Sequence, residues 1–365
     1  MKIKNVLLAF LVIISLSACD DKKEVAKLNE KPTLKIGIIM SFTGADPEGA
    51  NNAKNALLFV KEKKLSSSPI NYELIFEDSK GEPARGITVA KKLIDYDKVD
   101  VIFSNISAVS KAISPHIERE KVIHIAFSSD KETAKSKNSF VFWISAEEYA
   151  DKMYKLLQKL NAKNVVALVN SDITSSQRYE ALNTLIKETD IKMYKEDIIS
   201  GTTDFRITIN KILDKKPDLL LLLAPLPELD IIAKQVRETD SNIMITSMDF
   251  INYSSHKDLF EGSIYISTND GDKKAVKEIM DAINTKNPFA LAYMNDALML
   301  VDKAVKEFYQ GHKTIPTGEK LAEEILKIRS FQGAVGDIVI KEDGVINPQA
   351  VVKEIKDGYP IIVKD

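Results

Sequence analysis

The sequence has one cysteine among 365 residues, Cys19, and one tryptophan, Trp143. With its only thiol so near the start, the body of the chain can hold no disulfide, no thiolate metal site and no cysteine nucleophile. An excess of charge is also missing, since 51 Lys+Arg face 53 Asp+Glu. No basic stripe could neutralise phosphates, so nucleic acid is excluded as a partner. Beyond residue 16 no apolar run approaches the length of a membrane span. His116, His124, His256 and His312 are scattered without ligand spacing, and neither a metal nor a cofactor is expected. G-x-S-x-G, G-x-G-x-x-G, Walker and H-E-x-x-H motifs are absent. Ser128-Ser-Asp-Lys131 fits S-x-x-K, but it lacks the S-D-N and K-T-G partners that the chemistry requires, so no enzyme is expected.

What is present begins at the N-terminus. Lys2 and Lys4 precede an apolar run over 6–16, then small Ser17 and Ala18, then Cys19, which is the order of a secretion signal. The Leu16-Ser17-Ala18-Cys19 stretch resembles the lipobox of bacterial lipoproteins. That resemblance implies that Cys19 is diacylated and becomes the mature N-terminus, and two acyl chains give stable anchoring. Residues 20–32, with eight charged residues and no aromatic, read as a flexible tether. Removing Lys2 and Lys4 with the signal leaves 49 Lys+Arg against 53 Asp+Glu.

With 44% hydrophobic residues the remaining chain exceeds what one core usually serves, and two lobes are expected. Short β-rich runs alternate with amphipathic stretches, which argues for an α/β fold with parallel sheets. Strands are expected over 34–40, 72–76, 99–104, 122–127 and 140–144, then over 164–170, 191–198, 218–224, 243–247 and 263–267. Helices are expected over 50–64, from Pro83, from about 147 to 160, and over 176–187, 204–213, 228–238, 273–286 and 290–309. Five leucines over 219–223 read as a buried central strand rather than a binding patch. From Gln332 onward Gly-containing turns separate short antiparallel strands.

Three stretches carry a resemblance: Lys35-Ile-Gly-Ile-Ile-Met-Ser-Phe-Thr-Gly44, Glu77-Asp-Ser-Lys-Gly-Glu-Pro-Ala84 with Ala90-Lys-Lys-Leu-Ile-Asp95 and Val99-Asp-Val-Ile102, and Phe331-Gln-Gly-Ala-Val-Gly336 with Asp343-Gly344. In order and spacing they are similar to the type I periplasmic solute-binding proteins of branched-chain amino acid and amide ABC transporters. The resemblance implies two doubly wound, Rossmann-like lobes joined by three hinge crossings, with ligand enclosed between them. The expected division is signal 1–18, tether 19–32, first lobe 33–146 and 271–328, second lobe 147–270, and hinge plus second-lobe strands over 329–365.

Residue by residue, the resemblance places Ser107 against a ligand carboxylate, where a hydroxyl and free amides at a helix start suit an anion. It places Ser128, Ser129 and Asp130 at the next strand end; Asp130 departs from the family threonine and would repel a ligand carboxylate unless a cation intervenes or it is protonated. Asp249 is placed against a ligand ammonium. Asn105, Ser175 and Leu226 lie in the corresponding loops, although the loops near residues 172–175 and 225–226 lack the usual aromatics. Glu48 replaces the tyrosine of the first loop, and an inward Glu48, Asp130 and Asp249 would favour a cationic ligand. Trp143 and Tyr149 fall near the crossing and read as hinge packing.

The implied partners are a small amino acid, amide or amine, an ABC transporter permease, and the extracytoplasmic face of a membrane through the lipid, with the protein a monomer. The alternative is a lipoprotein of the same fold that binds a protein, such as a penicillin-binding protein it activates, or one that reports ligand state to a receptor.

Overall fold

A computed structural model describes residues 31–363 apart from 45, 129, 240, 241, 270–272 and 286–289. The signal segment, Cys19, residues 20–30 of the tether and Ser129 lie outside the described residues. The chain opens with β1 (Thr33–Met40), α1 (Pro47–Lys63), β2 (Asn71–Asp78) and α2 (Pro83–Lys91), continues through β3 (Val101–Asn105) and α3 (Ser107–Glu120), and reaches β4 (Ile123–Phe127) and β5 (Ser139–Phe142). Pro83 opens α2 as expected, because its fixed φ suits a first helical turn. Strands β1 to β5 pair in parallel in the order β5-β4-β3-β1-β2. Ile38 and Ile39 of β1, which point to opposite faces, are both wholly buried, as expected of a strand covered on both faces.

The second set runs α4 (Ala146–Lys159), β6 (Asn164–Asn170), α5 (Ile173–Ile186), β7 (Lys192–Ile198), α6 (Arg206–Leu213), β8 (Leu219–Leu223), α7 (Glu228–Glu238), β9 (Met244–Ser247) and β10 (Ile264–Thr268). Parallel pairing gives the order β7-β6-β8-β9. The five leucines of β8 lie between β6 and β9 and are all buried, the central strand their composition announced. A bridge between Met248 and Ile266 links this sheet to β10.

After α8 (Lys273–Ile283), α9 (Leu291–His312) and α10 (Gly318–Lys327) come β11 (Ser330–Gly333), β12 (Gly336–Ile340), β13 (Val345–Pro348), β14 (Ala350–Lys356) and β15 (Tyr359–Val363). Strands β11 to β13 extend the first sheet, because β13 pairs in parallel with β5. Only β14 and β15 join β10. Within the span 329–365, expected to hold hinge and second-lobe strands, β11 to β13 thus lie on the first sheet and β14 and β15 beside β10, and α10, in a span where the sequence pattern predicts no helix, packs on α9 and β4. The chain thus passes between the sheets after Phe142, after Thr268 and between Pro348 and Ala350.

The quoted motifs have physical reasons. Thr43 donates through its hydroxyl (2.5 Å) and amide (3.2 Å) to Asp78, joining the first motif to the second. Gly44, at φ +111°, approaches the Lys80 carbonyl so closely that a Cβ would sit 2.4 Å from it. In the third motif the amides of Ala334 (2.7 Å) and Val335 (2.9 Å) donate to buried Asp296 of α9. A Cβ on Gly333 would meet that carboxylate at 2.4 Å. Each glycine is required by close approach.

Candidate functional site

In doubly wound sheets the loops beyond the carboxyl ends of the strands form the binding edge. On the first sheet Asp46 caps α1 by accepting from the Gly49 amide at 3.0 Å. Desolvation, then the nearby Glu48 charge, raises the Asp46 carboxyl above its ordinary value although the side chain keeps solvent access. Glu48 itself is exposed on the first turn of α1.

Asn105 ends β3 with its Oδ1 buried and unpartnered. Ile106 follows at φ +64°, a left-handed backbone that a β-branched residue adopts only under constraint. Helix α3 then starts at Ser107 with no side-chain cap, so Ser107 is not the capping residue. The first amides of α3 lack the side-chain acceptor that caps usually supply, an arrangement suited to an anion.

Asp130, fully buried, is engaged from both lobes. It accepts from the Glu132 amide at 3.0 Å, from Lys111 of α3 at 3.2 Å and from the side-chain amide of Gln177 on α5, while its own amide donates to Ser128 Oγ at 3.0 Å. Burial pushes its carboxyl up, but the Gln177, Glu132 and Lys111 interactions outweigh this and leave it below the ordinary value. Asp130 is therefore ionised with a cation beside it. Next to it Lys131 forms an ion pair with Glu147 at the start of α4. A cavity of about 620 Å³ opens between these elements, lined by Asp130, Lys131, Glu147, Gln177, Glu180 and Leu185.

On the second sheet Ser175 is buried and committed to Asp172, which caps α5 by accepting the Ser175 amide at 2.9 Å and its hydroxyl. Leu226 is 41% exposed in the turn between β8 and α7. Asp249 follows β9 at φ +76° and is fully buried. Its Oδ1 accepts from Ser267 Oγ (3.2 Å), the Thr268 amide (3.1 Å) and Thr268 Oγ1 (3.3 Å), and its Oδ2 from the Tyr253 hydroxyl (3.0 Å). Although Tyr253 is 39% exposed, desolvation of its hydroxyl and then the Asp249 charge raise its phenol above its ordinary value.

Beneath this cluster the Arg178 guanidinium, 2% exposed, lies 4.1 Å from the Tyr149 ring centre and 5.0 Å from that of Phe250, and it donates to the Met248 carbonyl. Trp143 packs against Tyr293 of α9 with ring centres 4.6 Å apart.

The structure accordingly brings Asn105 and Ser107 to one binding edge and Asp249 to the facing one. Ser128 and Asp130 lie at the join of the lobes, Ser175 is spent on a helix cap, and Glu48 stands in solvent. Sequence reasoning missed Tyr253, Asp46 and Arg178. Tyr253 lies four residues after Asp249 in a 3₁₀ turn, a spacing that could have suggested the pair.

Two parallel sheets, joined three times and presenting binding loops toward each other, define a two-lobed ligand-binding protein. The chain belongs to the periplasmic binding protein family, whose model matches residues 33–360. It is similar in fold to a leucine binding protein from Thermotoga maritima (24% identity, 91% of this chain and 98% of that one, TM-score 0.79). A branched-chain amino acid transporter substrate binding protein from Streptococcus pneumoniae, in complex with isoleucine, aligns at 18% identity over 91% of this chain and 100% of that one, TM-score 0.77. An ABC transporter solute binding protein from R. palustris, in complex with benzoate, aligns at 14% identity over 91% and 95%, TM-score 0.79. No curated protein sequence matches the chain significantly.

Proposed function

We propose that the chain is a lipid-anchored extracytoplasmic binding protein that closes over a small amino-acid-like ligand and delivers it to an ABC transporter permease. The observation that carries this reading is the pairing of opposite polarities across the two edges. On the first lobe stand the uncapped start of α3 and the Ser107 hydroxyl, donors suited to a carboxylate. On the second stand Asp249 and Tyr253, suited to an ammonium. Leucine, isoleucine and benzoate, named with the structural relatives, all carry a carboxylate. Asp130 does not oppose this, since Lys111 offsets its charge.

A thermal-shift panel of L-amino acids, amides and polyamines tests the reading, because a ligand that binds only the folded form raises the melting temperature. At least one amino-acid-like compound should raise it by several degrees; a panel without any shift would favour the second reading, a partner-binding lipoprotein, to which the full burial of Asp249, already accepting four hydrogen bonds from within the protein, lends support. For the anchor, Cys19→Ser should move the protein from the membrane to the soluble fraction, and an unchanged membrane fraction would contradict lipidation.

A further inference from the structure

We infer that the cavity at the join of the lobes is a second ligand site, separate from the facing binding edges, which takes a small organic monocation with an apolar body and thereby holds the lobes together. At about 620 Å³ the cavity falls in the usual range of small-molecule sites. Its wall comes from both lobes, with Asp130 to Glu132 from the first and α4 and α5 from the second. Asn105, Ser107, Asp249 and Tyr253 do not line it.

Part of the wall is apolar. Ala146 at the start of α4 and Ala181 and Leu185 of α5 contribute to it, and Leu185 leaves 43% of its surface exposed. A hydrocarbon body seated there would take that surface out of water.

Charge selects what enters. Four of the lining carboxylates are matched by lysines: Asp130 by Lys111 at 3.2 Å, Asp151 by Lys155 at 2.7 Å, Glu132 by Lys135 and Glu147 by Lys131. The fifth, Glu180 on α5, is exposed and forms no ion pair among the described residues. One negative charge is thus left over on a wall that is otherwise balanced. An anion would be repelled, and a polyamine would bring charges that find no partner. A monoamine with a short hydrocarbon chain satisfies both features, its ammonium beside Glu180 and its chain on Leu185 and the two alanines.

An occupant that touches residues 130–132 and the two helices strengthens the contact that Asp130 already makes through Lys111 and Gln177. By linkage it tightens whatever the lobes close on, and is tightened by it in return.

Hexylamine is the probe and hexanol its neutral control, each titrated calorimetrically into the full chain as wild type, Glu180→Gln and Leu185→Arg, the last placing the chain's own cation at the wall. Wild type should bind one hexylamine and bind hexanol far more weakly. Glu180→Gln should weaken hexylamine by about fivefold, and Leu185→Arg should abolish its binding, both without a lower melting temperature. The amino acid selected by thermal shift should leave hexylamine bound and be bound more tightly in its presence. No binding of hexylamine to wild type, hexanol bound equally well, displacement by the amino acid, or unchanged affinity in both variants would each overturn the inference. Were either variant to melt lower, the comparison of hexylamine with hexanol in wild type decides alone. These hexylamine titrations need no transport ligand, so their failure and that of the proposed function are separate results.

Discussion

At the scale of single residues, buried polar groups separate structural from functional demands. His124 on β4 accepts or donates at 2.7 Å with Ser104, which in turn meets Ser110 at 2.7 Å. Burial pulls its imidazole down to about 3. Because the unfolded chain takes up this proton near the ordinary value of 6.5 and the folded chain does not, stability falls as pH drops below 6.5. The slope is about 1.4 kcal/mol per pH unit until the folded value is reached. Chemical denaturation at pH 6.5 and pH 5 should show about 2 kcal/mol of this loss in wild type and not in His124→Gln; equal losses in both would locate the acid sensitivity elsewhere. Nothing in the sequence distinguished His124 from the other histidines. The spacing of a strand from its neighbour decides its burial, and spacing across a sheet is not written locally.

At the scale of elements, the strands were legible because a sheet covered on both faces demands unbroken apolar runs, as in β6 and β8, whose ends the sequence reading placed within one residue. Helix α10 went unassigned, since its Leu321 and Ile325 sit among charges and only packing against α9 and β4 reveals the buried face. Asp130 was legible as a departure from the family pattern, but its outcome was not. It joins α3 to α5 through Lys111 and Gln177, elements 66 positions apart in the chain when those two residues are compared. Asp130→Ala should release this join. Small-angle scattering of the ligand-free protein should then give a larger radius of gyration, and denaturation should show a loss of about 1–3 kcal/mol; a superimposable scattering curve with unchanged stability would show that the bridge holds nothing.

At the scale of the whole molecule, the two-lobed architecture was legible from rhythm and length, and the motif order added the family. Asn105 and Ser107 at the end of β3 and Asp249 after β9 are loop positions that motif spacing can name as candidates, whereas Arg178 enters through a cation–aromatic stack that no linear pattern announces. The central claim is that the lobes move on a hinge and close over a solute. Spin labels at Glu62→Cys on α1 and Lys187→Cys just after α5, both exposed positions, in a chain whose Cys19 is replaced by Ser, measure the separation of the lobes by pulsed electron resonance. The account predicts a longer distance population that disappears when the amino acid selected by thermal shift is added; a single distance, the same with and without that amino acid, would contradict it.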